Sequence, residues 1–232
     1  MNIKKHIPNF ITLLNLFCGC IAIVMVADLK FEMAFFFVSL GIFFDFFDGF
    51  FARKFNVSGS LGVQLDSLAD MVTSGVVPGF VMFCLLSSGK YSTNLYLPYL
   101  GFIITLGACF RLANFNIDPR QSDSFIGLPT PANTLFIVSL PLITNSFVVP
   151  FLQSPWALVT ITILSTYIMN AEIPLFSLKI KNFTFQKYKL QIAFLVVSLI
   201  MIATLQFLAV PMIIITYILV SVVNNILVKK QL

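Results

Sequence analysis

Apolar residues run along the chain in stretches of about twenty, parted by short polar connections, and this block pattern sets the expected elements. A helix needs about 20 predominantly apolar residues to cross the ~30 Å hydrocarbon layer of a bilayer. Eight such stretches can be read, at 8–27, 32–53, 62–87, 95–116, 130–149, 155–174, 190–209 and 211–228. Only a short stretch before Pro211 separates the last two, so a seven-span reading also fits. The longest polar interruptions are 117–129 and 177–189, and no internal repeat or low-complexity segment stands out. The pattern predicts an all-α integral membrane protein, a polytopic helical bundle of about eight transmembrane helices forming a single membrane domain over 1–232.

Composition supports that solvent: 59% of the 232 residues are apolar, 10% are charged and the mean hydropathy is +0.98, well outside the range of soluble domains. Lys and Arg collect in short cytoplasmic loops. With the N-terminus inside, Lys4, Lys5, Arg53, Lys54, Arg111, Arg120, Lys179, Lys181, Lys187, Lys189, Lys229 and Lys230 fall on the inner side, and Lys30 and Lys90 on the outer. Twelve against two predicts that both termini are cytoplasmic. The net charge of +5 is then largely an inner-face property, suited to anionic headgroups and not to nucleic acid, or simply a topology signal. The first apolar run follows two lysines like a signal peptide, but it is long, has no convincing cleavage site, and is expected to be retained. Cys18, Cys20, Cys84 and Cys109 all fall inside spans and are expected as buried small hydrophobes. His6, the one histidine, is expected at the membrane interface.

Against this background, four carboxylates stand out. Asp45 and Asp48 share a helix face near the inner end of the second span, and Asp66 and Asp70 do so at the inner start of the third. The latter pair continues a stripe that reads Gly62, Asp66, Asp70, Ser74. A short connection joins the two spans, so they are antiparallel neighbours and both pairs arrive at similar depth. Each Asp at membrane depth costs about 2.5–3.5 kcal/mol, so four approach ~10 kcal/mol, comparable to a whole domain's stability. Two carboxylates about 5 Å apart repel by roughly 3 kcal/mol at an effective dielectric near 20. Arg53 supplies one positive charge. Two hard divalent ions, Mg²⁺ or Mn²⁺, would neutralise the rest and leave coordination positions for phosphate oxygens. Gly49, Gly62 and Ala52 keep the surrounding backbone accessible to a ligand.

Asp45-x-x-Asp48-Gly49-x-x-Ala52-Arg53, eight residues, then Gly62-x-x-x-Asp66-x-x-x-Asp70 resembles the full signature of the CDP-alcohol phosphatidyltransferase family of integral membrane enzymes. IPNFITLLNLFCG at 7–19, GVQLDSLADMV at 62–72, RLANFN at 111–116, GLPTPA at 127–132 and EIPLFSLK at 172–179 resemble its phosphatidylserine synthase branch. The likeness covers a core at 7–180, with 190–232 as additional C-terminal transmembrane helices. Asn114 stands where that branch commonly has a second arginine, and Thr73-Ser74 where it commonly has Ser-Phe; both departures bear on the acceptor more than on the reaction.

The resemblance implies that CDP-diacylglycerol and L-serine give phosphatidylserine and CMP at the cytoplasmic face of the cell (inner) membrane, in a homodimer. It implies Asp45, Asp48, Asp66 and Asp70 as ligands of two divalent metals, with Asp70 also the general base for the serine hydroxyl. Donor contacts are expected from Asn9, Thr12, Gly49, Ala52, Arg53, Gly59, Ser60 and Gly62, and serine contacts from Arg111, Asn114 and Asn116. Arginine suits a carboxylate through two parallel hydrogen bonds, although Arg111 also stands where a topology-setting charge belongs. Polar groups in the first span serve equally well in helix packing. Glycerol phosphate or inositol phosphate as acceptor remain alternatives, as does, from another class, a cation transporter using intramembrane aspartates.

Overall fold

The computed structural model describes residues 6–57, 59–88, 95–118, 125–175 and 189–229. Helix α1 (Ile7–Ala27) carries Pro8 in its first turn, where the missing N–H would find no intrahelical partner anyway. It reverses through Leu29 at φ 58° into α2 (Phe31–Lys54). That helix ends at Asn56, φ 53°, a residue type that tolerates the left-handed region. Extended Gly59 leads into α3 (Ser60–Asp70).

Directly after Asp70 the helix widens into one π-type stretch, Met71–Val76, and continues as α4 (Val77–Ser88). A widened turn displaces carbonyls from the usual ladder, and side chains from elsewhere meet them. Thr134 Oγ1 donates to the Ser74 carbonyl and Thr105 Oγ1 to that of Gly75, each at 2.9 Å. Thr73 Oγ1 in turn donates to the Asn15 carbonyl at 3.1 Å. A tight 3₁₀ stretch, Leu97–Phe102, enters α5 (Ile103–Ile117).

The second half is more broken than the pattern predicts. The stretch at 130–149 forms α6 (Thr130–Ser139), a 3₁₀ turn through Leu142 and, after an irregular stretch, the short α7 (Val149–Leu152). Pro141 cannot continue the hydrogen-bond ladder of α6. At 1.5 Å per residue Thr130–Leu142 reaches about 20 Å, less than the hydrocarbon thickness. Helix α8 (Pro155–Asn170) follows. A two-residue antiparallel pair, β1 (Phe125–Ile126) with β2 (Pro174–Leu175), staples the two ends of this section and interrupts the all-helical expectation.

Among the described residues, five helical stretches are long and apolar enough to cross a membrane: Ile7–Ala27, Phe31–Lys54, Ser60–Ser88, Leu97–Ile117 and Leu190–Leu227. The last is not one rod. Its halves, α9 (Lys189–Leu205) and α10 (Ala209–Lys229), meet at Gln206, φ 50°. The rings of Phe194 and Tyr217 lie 5.7 Å apart, whereas 23 residues of straight helix would part them by about 35 Å. The pair is a helical hairpin.

The bundle divides along its length. Ala22, Val26, Ala34, Val38, Val81, Leu86, Ile104 and Ile137 fill an apolar core around the α1–α2 turn. At the other end of the same two helices the buried side chains are polar: Thr12, Asn15, Asp48, Asp70, Thr73, Arg111 and Thr130. Large apolar side chains face outward, Phe17 at 61%, Leu106 at 69% and Trp156 at 72% exposure, as expected where the surroundings are hydrocarbon. Cys18 is buried as expected, but Cys20 and Cys109 point outward and Cys84 is half-buried, because their helices turn those positions away from the bundle.

Candidate active site

Asp45 and Asp48 project from the last turns of α2 toward Asp66 on α3, and one carboxylate oxygen of each lies within 4.8 Å of the other two. Three carboxylates at that separation repel by about 3 kcal/mol per pair at an effective dielectric near 20. Among the described residues no ion pair is made by any of the three, the pair present being Lys30–Asp28 at the far end of α2. The Arg53 guanidinium instead folds back along its own helix over Gly49, where an added Cβ would lie 3.4 Å from Nη1. A dense set of hard oxygen donors with unbalanced charge fits divalent cations. Asp45, Asp48 and Asp66 form that set, and Asp70 stands one helical turn further along α3.

Two of the aspartates are held by α1. Thr12 Oγ1 donates to Asp48 Oδ2 at 2.5 Å, and Asn15 Nδ2 donates to Asp70 Oδ1 at 3.1 Å. This contact needs close helices. A Cβ on Gly19 would sit 3.1 Å from the Thr73 backbone, and one on Gly41 would sit 2.9 Å from Asn15 Oδ1. Glycine at both positions lets α1 approach α2 and the widened stretch after Asp70. The role of Asn15 was not among the expected site residues. Its signal is the spacing Pro8, Thr12, Asn15, which puts all three on one face of α1.

Two cavities share the aspartates. The first, about 170 Å³, is lined by Pro8, Asn9, Thr12, Asp48, Gly49, Ala52, Arg53, Val57, Gly59, Gly62, Val63 and Asp66. It gathers seven of the eight expected donor contacts; Ser60 lies outside the lining. The second, about 390 Å³, takes in Asp45, Asp48, Asp66 and Asp70 together with Ser67, Arg111, Asn116 and the segment Pro129, Thr130, Pro131. Phe46, Leu112 and Phe115 add apolar walls to it. Asp48, Gly49, Arg53 and Asp66 line both cavities.

The three expected serine contacts are not gathered in one place. Asn116 Nδ2 donates to Ser67 Oγ at 2.8 Å. Asn114 lines a neighbouring cavity with Asn170 and Glu172, and Arg111 borders both that cavity and the aspartate one. Nη1 of Arg111 donates to the carbonyls of Ile126 and Met169, each at 2.9 Å, and Nη2 to that of Gly127 at 3.4 Å. The basic residues Lys179, Lys181 and Lys187 lie outside the described residues.

Over 146 residues the chain is 38% identical to the CDP-diacylglycerol–serine O-phosphatidyltransferase of Bacillus subtilis (strain 168), covering 61% of this chain and 78% of that one. The protein of the same name from Helicobacter pylori (strain J99) is 33% identical over 142 residues, 60% of this chain and 59% of that one. The one from Saccharomyces cerevisiae is 35% identical over 153 residues, 58% and 53%. The chain thus spans less than two thirds of the latter two. Residues 5–168, which take in α1 and most of α8 and include every carboxylate of the cluster, match the family model described as CDP-alcohol phosphatidyltransferase. The motif, the helices that present it and the match over most of the chain converge on one statement: this protein belongs to the CDP-alcohol phosphatidyltransferase family.

Proposed function

We propose that this protein transfers the phosphatidyl group of CDP-diacylglycerol to the hydroxyl of L-serine, giving phosphatidylserine and CMP. The observation that carries the reading is the shared wall: Asp48, Gly49, Arg53 and Asp66 face one cavity lined by the expected donor contacts and a second that holds Asp70. A pyrophosphate lying across that wall has its nucleotide on one side and its reacting phosphorus on the other. Relatives bearing the name of this activity support it.

The chain's own residues account for the steps around the phosphorus. Gly49, Ala52, Gly59 and Gly62 leave room for the nucleotide, and Arg53 balances phosphate charge. Asn15 occupies Asp70 Oδ1, leaving Oδ2 to take the proton from the serine hydroxyl. The serine oxygen forms the new bond to the phosphorus carrying diacylglycerol, the bond to the CMP oxygen breaks, and CMP leaves with the electron pair. Asp45, Asp48, Asp66 and Asp70 would hold two divalent ions, Mg²⁺ or Mn²⁺, which supply charge neutralisation and polarise the pyrophosphate. Among the described lining residues of the aspartate cavity, only Arg53 and Arg111 are cationic, which favours serine over a phosphorylated acceptor.

The same reading includes eight membrane passages, α9 and α10 counted separately, with cytoplasmic termini and the aspartates near the inner leaflet of the cell membrane, in a homodimer. The hairpin at Gln206 and the skew of Lys and Arg support it. The test uses purified protein in detergent with CDP-diacylglycerol, Mn²⁺ or Mg²⁺, and a panel of alcohols. CMP release matched one to one by labelled serine in chloroform-extractable lipid is expected. CMP release only with another alcohol would reassign the acceptor, and none with any alcohol would defeat the enzyme reading.

A further inference from the structure

Arg111 is a cation at 7% exposure that borders the aspartate cavity while its Nη atoms donate to backbone carbonyls. Its guanidinium gathers carbonyls from two separate stretches, Ile126 in β1 with Gly127 just after it, and Met169 at the end of α8. The same stretches are tied by Gly127 N–H donating to Ile173 at 2.8 Å and Leu128 N–H to Ile168 at 3.2 Å. Gly127 lies at φ 74°, and a Cβ there would sit 2.5 Å from the Met169 carbonyl and 3.1 Å from Arg111 Nη1. Only a residue without a side chain lets those carbonyls converge on the guanidinium. Helix α5 is in turn fixed on α8: a Cβ on Gly107 would lie 2.4 Å from Thr166 Cγ2, and Asn170 Nδ2 donates to the Gly107 carbonyl at 3.1 Å.

Two residues beyond Gly127 begins the segment Pro129, Thr130, Pro131, which lines the cavity that holds Asp45, Asp66 and Asp70. Its two prolines have fixed φ, so a shift at Gly127 passes to that wall with little slack. We propose that Arg111 is a positioning residue, setting the acceptor wall of the aspartate cavity through the carbonyls of Ile126, Gly127 and Met169, and not touching the acceptor. Both N–H groups of Nη1 go to carbonyls, so a clamp on a carboxylate through Nη1 and Nη2 would have to break those bonds. The proposal rests on serine as acceptor, and its test separates the two.

In the wild-type protein, phenylglyoxal modification is mapped by peptide mass spectrometry with and without L-serine. Arg111 is expected to stay unmodified in both, with exposed Arg53 as the reactive reference; modification of Arg111 in the absence of serine overturns the proposal. R111Q and R111K are then assayed with L-serine and with ethanolamine, which lacks the carboxylate. We expect kcat/KM for serine to fall about 10²-fold in both, the loss typical of a misplaced reacting group. KM for the donor and the preference for serine over ethanolamine are expected to be unchanged. A preference that collapses, or full activity in R111K, overturns it. Should neither variant fold, the modification map alone decides. A wild-type protein inactive with serine refutes the serine reading, while the map still reports on the carbonyl clamp.

Discussion

Replacing Asn15 with leucine, close to it in shape, separates catalysis from stability. Asn15 makes one hydrogen bond to Asp70 Oδ1, and its own Oδ1 is buried without a partner. A hydrogen bond to a charged group contributes about 1.5–3 kcal/mol, and an unpaired buried polar atom costs about 1–3 kcal/mol. N15L removes both terms, so they partly offset one another and folding stability should change by no more than about 2 kcal/mol. Orientation of Asp70 has no such offset. Losing about 1.5–3 kcal/mol of it in the transition state corresponds to a roughly 10- to 150-fold drop in kcat. Labelled serine entering chloroform-extractable lipid gives kcat, and thermal unfolding in detergent gives stability on the same preparation. Turnover at wild-type level in N15L would show that Asp70 needs no support from α1, and a drop in kcat matched by a drop in thermal midpoint would show a merely structural role.

Other perturbations test other parts of the site. T12V removes the donor to Asp48, and a lost support of this kind weakens metal affinity by about 10–100-fold, read as a higher Mn²⁺ concentration for half-maximal activity; an unchanged metal curve rejects it. D45N, D48N and D66N should each lower kcat by about 10²–10³-fold or more, and chelation with EDTA should abolish turnover until Mg²⁺ or Mn²⁺ is restored. G101A places a Cβ 2.6 Å from the Phe83 backbone nitrogen, where nothing can rotate away, and should destabilise by about 1–3 kcal/mol. G59A, with nothing within 4 Å of its added Cβ, should unfold like the wild type, so a raised donor KM in that variant reports on nucleotide contact.

Much of the site was legible because its spacing is local. Asp45 with Asp48, and Asp66 with Asp70, had to share faces on any helix, and the short connection between α2 and α3 had to bring the pairs together. Seven of the eight expected donor contacts share one cavity, five of them from α2, α3 and the connection between these helices, and Asn9 and Thr12 from α1 packed against them. All four carboxylates line one cavity, with oxygens of Asp45, Asp48 and Asp66 within 4.8 Å of one another, while Asn15 reaches Asp70 across a helix contact that no spacing reveals. Apolar length, likewise, could not show that Pro141 ends the fifth stretch early, and it left open whether 190–228 forms two spans or one, which the turn at Gln206 decides.

What the sequence determined alone is therefore periodic or compositional: apolar stretches of spanning length, the skew of Lys and Arg, and acidic pairs on defined helix faces, all set by 1.5 Å per residue and 3.6 residues per turn. The tertiary structure decided which polar groups meet across helices. Thr12 reaches Asp48 and Asn15 reaches Asp70 because glycines at 19 and 41 let α1 approach closely, and Arg111 serves three carbonyls because Gly127 adopts a left-handed turn. Those choices depend on helix separation and on where each donor finds an acceptor, quantities that exist only once the helices have packed.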